Sequence, residues 1–124
     1  MIDNGMRNAV SFRFSEDTGR LFENLVFIEL RRRETAVYYY RGKQECDFIT
    51  EDKGLLNTAI QVCFELNDGN REREIGGITD AMNELGITQG LILTYNQEET
   101  IVNDGKEIAV IPVWRWLIED AAPV

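Results

Sequence analysis

The sequence predicts an α/β domain with a mixed central β-sheet flanked by helices. Three observations predict it. The elements read in the order helix, hairpin, strand, helix, strand, strand, helix. The third strand, second helix and fourth strand form a β-α-β unit, which requires two parallel strands. The segment 90–95, GLILTY, is an almost continuous apolar run, as in a strand covered on both faces.

Each element has a local reason. Ser15, Glu16 and Asp17 bring capping oxygens and early negative charge, so a helix is expected over 18–33. Leu21, Phe22, Leu25, Val26, Phe27, Ile28 and Leu30 cover most of its circumference, which predicts burial on more than one side. Its terminal arginines suit the negative end of the helix dipole. Residues 36–41, AVYYYR, are rich in β-formers. Gly42 and Lys43 supply a turn and 45–50, ECDFIT, completes a hairpin. Asp52, Lys53 and Gly54 make another turn, and 58–65, TAIQVCFE, reads as the third strand. The second helix spans 72–85, with Ile75, Ile78, Met82 and Leu85 on one face, despite Gly76 and Gly77. A short strand is expected around 100–103, a turn at 103–105, and a last strand over 107–113. Residues 114–119 close the domain as a helix anchored by Trp114 and Trp116. Residues 1–13 carry Ile2, Met6, Val10 and Phe12 without a clear period, and are expected to be a lead-in from an upstream module to a domain over 14–124.

Composition excludes several chemistries. At 124 residues the chain suits one domain with one core. It has no histidine, which removes the Ser–His–Asp triad, the Cys–His pair and histidine-rich zinc sites. Cys46 and Cys63 are isolated and form no CxxC pattern. No GxxxxGK[ST] occurs, so the chain has no P-loop. No apolar run is long enough for a bilayer and no signal peptide opens the chain, so no membrane partner and a cytoplasmic location are expected. The net charge of −9 opposes a surface devoted to nucleic acid, although Arg31–Arg33, Arg41 with Lys43, and Arg71 with Arg73 are local basic strips.

Four positions stand out. Glu23 is spaced from Val26, Phe27 and Leu30 so as to share an apolar helix face, where a carboxylate is costly unless paired, hydrated or metal-bound. Asp47 shares a strand face with Glu45 and Ile49, and Gln61 shares one with Cys63. A helix glutamate, a strand aspartate and a strand E-x-K pair form the layout of the PD-(D/E)xK nucleases. There, carboxylates bind Mg²⁺ through oxygen, the metal acidifies a water, and the lysine adds positive charge beside it. Here E-x-K reads Gln61-Val62-Cys63, so one carboxylate and the ammonium are missing. Lys43 is the lysine nearest Asp47 in sequence. Plainer readings stand beside these: Glu23 pairs with Arg20 or Arg41, Asp47 is a structural acceptor, Gln61 satisfies a polar neighbour, and Cys63 is a small buried hydrophobe.

The resemblance extends along the chain. GRLFENLVFIEL at 19–30, VYYYRGKQECDFI at 37–49, AIQVCFELND at 59–68, EREIGGITDAM at 72–82, GLILTYNQEE at 90–99 and VIPVWRWLIE at 110–119 carry it. With the lead-in IDNGMRNAVSF at 2–12, they resemble the C-terminal domain of unknown function that follows an AAA-type ATPase module in many bacterial and archaeal proteins. That resemblance implies a restriction-endonuclease-like core and an upstream ATPase as partner. It places degenerate catalytic positions at Glu23, Asp47, Gln61 and Cys63, with Glu23 and Asp47 as the ligands if Mg²⁺ binds. Three functions stay open: an impaired nuclease-like accessory domain that binds DNA, a protein-interaction or regulatory domain docking on its ATPase, and an Mg²⁺-dependent nuclease with a rearranged site. Fold does not choose among them, but a basic or an acidic surface around Glu23, Asp47 and Gln61 does. Three further expectations follow. Glu23, Asp47, Gln61 and Cys63 converge, with Asp47 and Gln61 on neighbouring strands; Cys46 faces away from the site that Cys63 faces, with both as free thiols; and the isolated chain leaves exposed surface that its ATPase would cover and that self-association can hide.

Overall fold

The computed structural model describes residues 14–121, and the expected lead-in over 1–13 lies outside the described residues. The elements are α1 (Phe14–Arg32), β1 (Ala36–Arg41), β2 (Glu45–Asp52), β3 (Leu55–Val62), α2 (Arg71–Leu85), β4 (Gln89–Thr94), β5 (Glu99–Asn103), β6 (Lys106–Pro112) and α3 (Val113–Ala121). They build an α/β domain with one six-stranded sheet in the order β1-β2-β3-β4-β6-β5. β3, β4 and β6 run parallel, and the remaining neighbours pair antiparallel. The expected mixed sheet is therefore present, with α2 joining parallel β3 and β4.

Alternation along the strands makes two cores. Ile49, Ala59, Ile92, Ile108 and Val110 meet Ile78, Ala81 and Met82 of α2 on one face. Phe48, Ile60, Val62 and Leu93 meet Val26 and Leu30 of α1 and Val113 and Trp116 of α3 on the other. α2 ends at Gly86, whose left-handed φ of 72° lets its N–H reach the Met82 carbonyl.

Several details differ from the sequence reading. β3 begins at Leu55, because Lys53 (φ 55°) and Gly54 (φ 82°) form a two-residue hairpin turn and the strand starts directly after it. Leu55 and Leu56 are exposed there, so burial gave no alternating signal. The strand stops at Val62, before Cys63 and Glu65. α1 is buried along one side: Val26 and Leu30 are inside, while Leu21, Leu25 and Ile28 face outward. Of the two tryptophans, Trp116 is buried and Trp114 is exposed.

The largest correction concerns Cys46. From Tyr38↔Ile49 to Tyr40↔Cys46, two steps along β1 span three along β2, so β2 carries an extra residue. One extra residue reverses the facing of everything beyond it. Cys46 therefore enters the same core as Cys63, not the opposite one. Both cysteines are free thiols.

Candidate functional site

The bulge in β2 also shapes the site. Main-chain pairing of β2 with β3 reaches Phe48↔Ile60 and is not continued at Asp47. Past that point the two strands are held by side chains. The Asp47 N–H donates to Gln61 Oε1 at 2.9 Å, and the Val62 N–H donates to Asp47 Oδ2 at 2.8 Å. The expected convergence of Asp47 and Gln61 on neighbouring strands is present, as a reciprocal pair of side-chain to main-chain bonds.

Gln61 is buried and ties three elements together. Besides accepting from Asp47, its Nε2 donates to the Glu45 carbonyl of β2 and the Glu74 carbonyl of α2, each at 3.2 Å. α2 comes this close because Gly77 has no side chain. A Cβ there would lie 2.2 Å from the Glu45 carbonyl oxygen and 2.7 Å from Gln61 Nε2. The glycines that weakened the helix in the sequence are thus the reason it can seat on the strand ends.

Cys63 follows on the same face. Its thiol donates to the Glu65 carbonyl at 3.2 Å and accepts from Asn70 Nδ2 at 3.5 Å. Burial pushes the thiol up to about 11, so it stays protonated and cannot replace an ammonium. Cys46, deeper in the core, is pushed up to about 12 for the same reason.

The carboxylates around this tie repel one another. Burial raises Asp47 to about 7, against the pull of the Val62 N–H, and the charges of Glu23, Glu74 and Glu45 push the same way. Burial raises Glu74, opposed by Arg73, which stands 3.5 Å away. Glu23 is also raised by partial burial, opposed by the charge of Arg20. Glu23 on α1 and Glu74 on α2 thus act on Asp47 from the layers covering opposite faces of the sheet. Glu23 is more exposed than its helix spacing suggested, and Arg20, not Arg41, is its opposite charge.

Glu74 was missed in the sequence. The signal available was Gly76-Gly77: two glycines in one helix mark a close approach, and the preceding turn must then face what is approached. Among the described residues, no three Cys, Asp or Glu side chains stand close enough together to hold a metal ion. Lys43 is exposed in the turn between β1 and β2.

A second charged group lies at the far end of α1. Glu29 is buried and accepts from Arg32 Nε at 3.0 Å, Arg32 Nη2 at 2.7 Å and Arg33 Nε at 2.7 Å. The Arg33 guanidinium stacks 4.4 Å over the Trp116 ring. These groups adjoin a groove of about 700 Å³ lined by Leu30, Arg33, Thr58, Leu91, Ala109 and Trp116, away from the Asp47 cluster. The terminal arginines of α1 are therefore partly structural, not simply a solvated helix end.

Fold and site together define a three-layer α/β domain in which Asp47 and Gln61 tie the ends of β2 and β3 together. The chain belongs to the family described as "Domain of unknown function (DUF4143)", whose model matches residues 18–116. It is 44% identical over 125 residues to "Uncharacterized protein MJ1544" of Methanocaldococcus jannaschii. That match covers 90% of this chain and 27% of the relative, so the chain spans about a quarter of the relative's length. No helix among the described residues is long and apolar enough to cross a membrane.

Proposed function

We propose that this domain is a non-catalytic accessory module of an ATPase that works by docking on protein, with its nuclease-like positions retained as a structural tie. The observation that carries this is Gln61. Both Nε2 hydrogens and one Oε1 lone pair go to main-chain groups of β2 and α2, which leaves no donor for a phosphate and only one buried, neutral lone pair for a metal. Asp47 likewise holds the Val62 N–H. The surroundings support the same reading. Glu23, Glu45, Asp47 and Glu74 gather against Arg20 and Arg73, an acidic balance that opposes the phosphate contacts on which DNA binding depends.

The resemblance to ATPase-linked domains supports the choice of partner. The relative's unmatched three quarters leaves ample length for such a module there.

The test has two arms. In one, plasmid and branched DNA are offered with Mg²⁺ or Mn²⁺ at a low salt of about 50 mM, where phosphate contacts are strongest. In the other, the part of the relative outside the match is offered in trans and binding is followed by calorimetry. The expected result is no cleavage, no DNA binding and saturable binding of the protein segment. Wild-type cleavage that disappears in Asp47→Ala returns the domain to the nucleases. DNA binding at low salt without cleavage returns it to the impaired DNA-binding reading.

A further inference from the structure

Half of one sheet face is left bare. β3, β4 and β6 run parallel, and strands of that kind are ordinarily covered on both sides. On the α2 side they are: Ala59, Gly90 and Ile108 are buried there. On the other face α1 and α3 reach only as far as Leu30, Arg33 and Trp116. Beyond them Gln89, Glu107 and Ala109 are exposed, although β4 and β6 are interior strands. The result is the groove of about 700 Å³, with Ile60, Leu91 and Ala109 as an apolar strip along its floor.

We propose that this groove seats a short basic amphipathic helix of a partner protein. The groove is thus the seat of the docking function proposed above, on which this inference rests. Charge selects the occupant. Ile49 and Ile108 face α2, so alternation places Asp52 of β2 and Glu107 of β6 on the groove side. Both are exposed. Among the described residues neither has an ion-pair partner. The same alternation turns Glu51 and Lys106 toward the α2 side, where Glu51 accepts from the Tyr38 hydroxyl. Arg33, the cation on the wall, is held by Glu29 at 2.7 Å and lies over the Trp116 ring. Lys53 stands in the turn next to Asp52 and does not line the groove. The groove therefore sets two carboxylates beside an apolar strip, a surface that repels phosphate and accepts lysine or arginine.

The spacing of the carboxylates fits a helix. Asp52 and Glu107 lie on β2 and β6, with β3 and β4 between them. Three strand spacings make about 14 Å across the sheet. A helix of about ten residues is about 15 Å long, so one laid over the strip brings a basic side chain near each end to a carboxylate. Its apolar side chains then cover Ile60, Leu91 and Ala109, in the manner of a helix bound in a groove. One such helix makes a small interface, so binding is at the weak end of specific contacts and falls with salt.

The test titrates the 124-residue chain with two synthetic helical peptides and follows backbone amide chemical shifts. Both peptides are about ten residues long and carry the same leucine face. One has lysine near each end and the other has glutamate there. The lysine peptide is expected to bind, with shifts at Gln89, Gly90 and Ala109, and the glutamate peptide to bind about tenfold more weakly or worse. Asp52→Lys combined with Glu107→Lys, both at exposed positions, is expected to reverse that preference. No binding of either peptide overturns the proposal, as does equal binding of the two, a preference that survives the double reversal, or shifts centred on Glu23 and Glu74. The docking function fails separately. A double-reversal chain that still binds the in-trans ATPase segment as wild type does overturns the groove as the seat and leaves docking standing. Peptide binding as expected, with no binding of that segment, upholds the groove and removes the ATPase as its partner. A wild-type dimer that dissociates on the double reversal overturns the proposal, since the groove would then belong to a second copy of the chain.

Discussion

Gln61→Glu restores a carboxylate that the nuclease layout requires, and the structure says it will destabilise the protein instead of activating it. Gln61 Nε2 donates to the carbonyls of Glu45 and Glu74. A carboxylate has no hydrogen to donate, so both carbonyls lose their partner and face an oxygen. A buried acceptor left unsatisfied costs about 1–3 kcal/mol, so two cost about 2–6 kcal/mol. The new acid also joins Asp47 and Glu74, both of which burial already holds above the ordinary carboxylate range. It will therefore keep its proton toward neutral pH, which returns one donor and brings the cost to about 1–3 kcal/mol. The folded state then binds a proton that the unfolded state has released, so the cost grows as pH rises. Against a typical stability of about 5–15 kcal/mol, the loss is readily measured. The assay is urea unfolding of wild type, Gln61→Glu and Gln61→Leu between about pH 5 and 9, with and without Mg²⁺. The expected result is a lower midpoint for Gln61→Glu, falling further at high pH and unmoved by Mg²⁺. A variant as stable as wild type would refute the tie. A large gain with Mg²⁺, about 2.7 kcal/mol at a hundredfold excess over Kd, would show a working metal site.

Asp47 gives wild type its own pH dependence. The unfolded carboxyl ionises near 3.8 and the folded one near 7, so between these values the folded state binds more protons and stability falls as pH rises. The interval of about 3 units is worth about 4 kcal/mol at most. Asp47→Asn should flatten that slope in denaturation curves, and an unchanged slope would show that Asp47 is not its source. Glu29 acts with the opposite sign, since hydrogen bonds from Arg32 and Arg33 lower it from 4.5 to about 2. Its contribution is present above 4.5 and is lost as pH falls through about 2, and Glu29→Gln should cost about 1–3 kcal/mol near neutrality and little in strong acid. A Glu29→Gln variant equal to wild type at neutral pH would refute the role. The two thiols, raised by burial to about 12 and about 11, should resist a thiol reagent until urea unfolds the chain, and prompt native labelling at Cys63 would count against its seating on Glu65.

The sequence by itself determined the element order and the mixed sheet. Those rest on local signals that tertiary contacts reinforce: the apolar run 90–95, the β-rich 36–41, and the Gly54, Gly86 and Gly105 positions where φ is positive. It also brought Asp47 and Gln61 together, because hairpin order makes β2 and β3 neighbours. Only the tertiary structure decided the rest. The extra residue in β2 is invisible to a period-two reading, yet it turned Cys46 into the core of Cys63 and ended the ladder that Gln61 and Asp47 complete. Glu74 entered the site because Gly77 lets α2 touch β2, a contact between residues distant in sequence. The outward row of α1 was equally hidden. Leu21 and Val26 are alike as residues, and which one is buried depends on where the sheet lies against the helix.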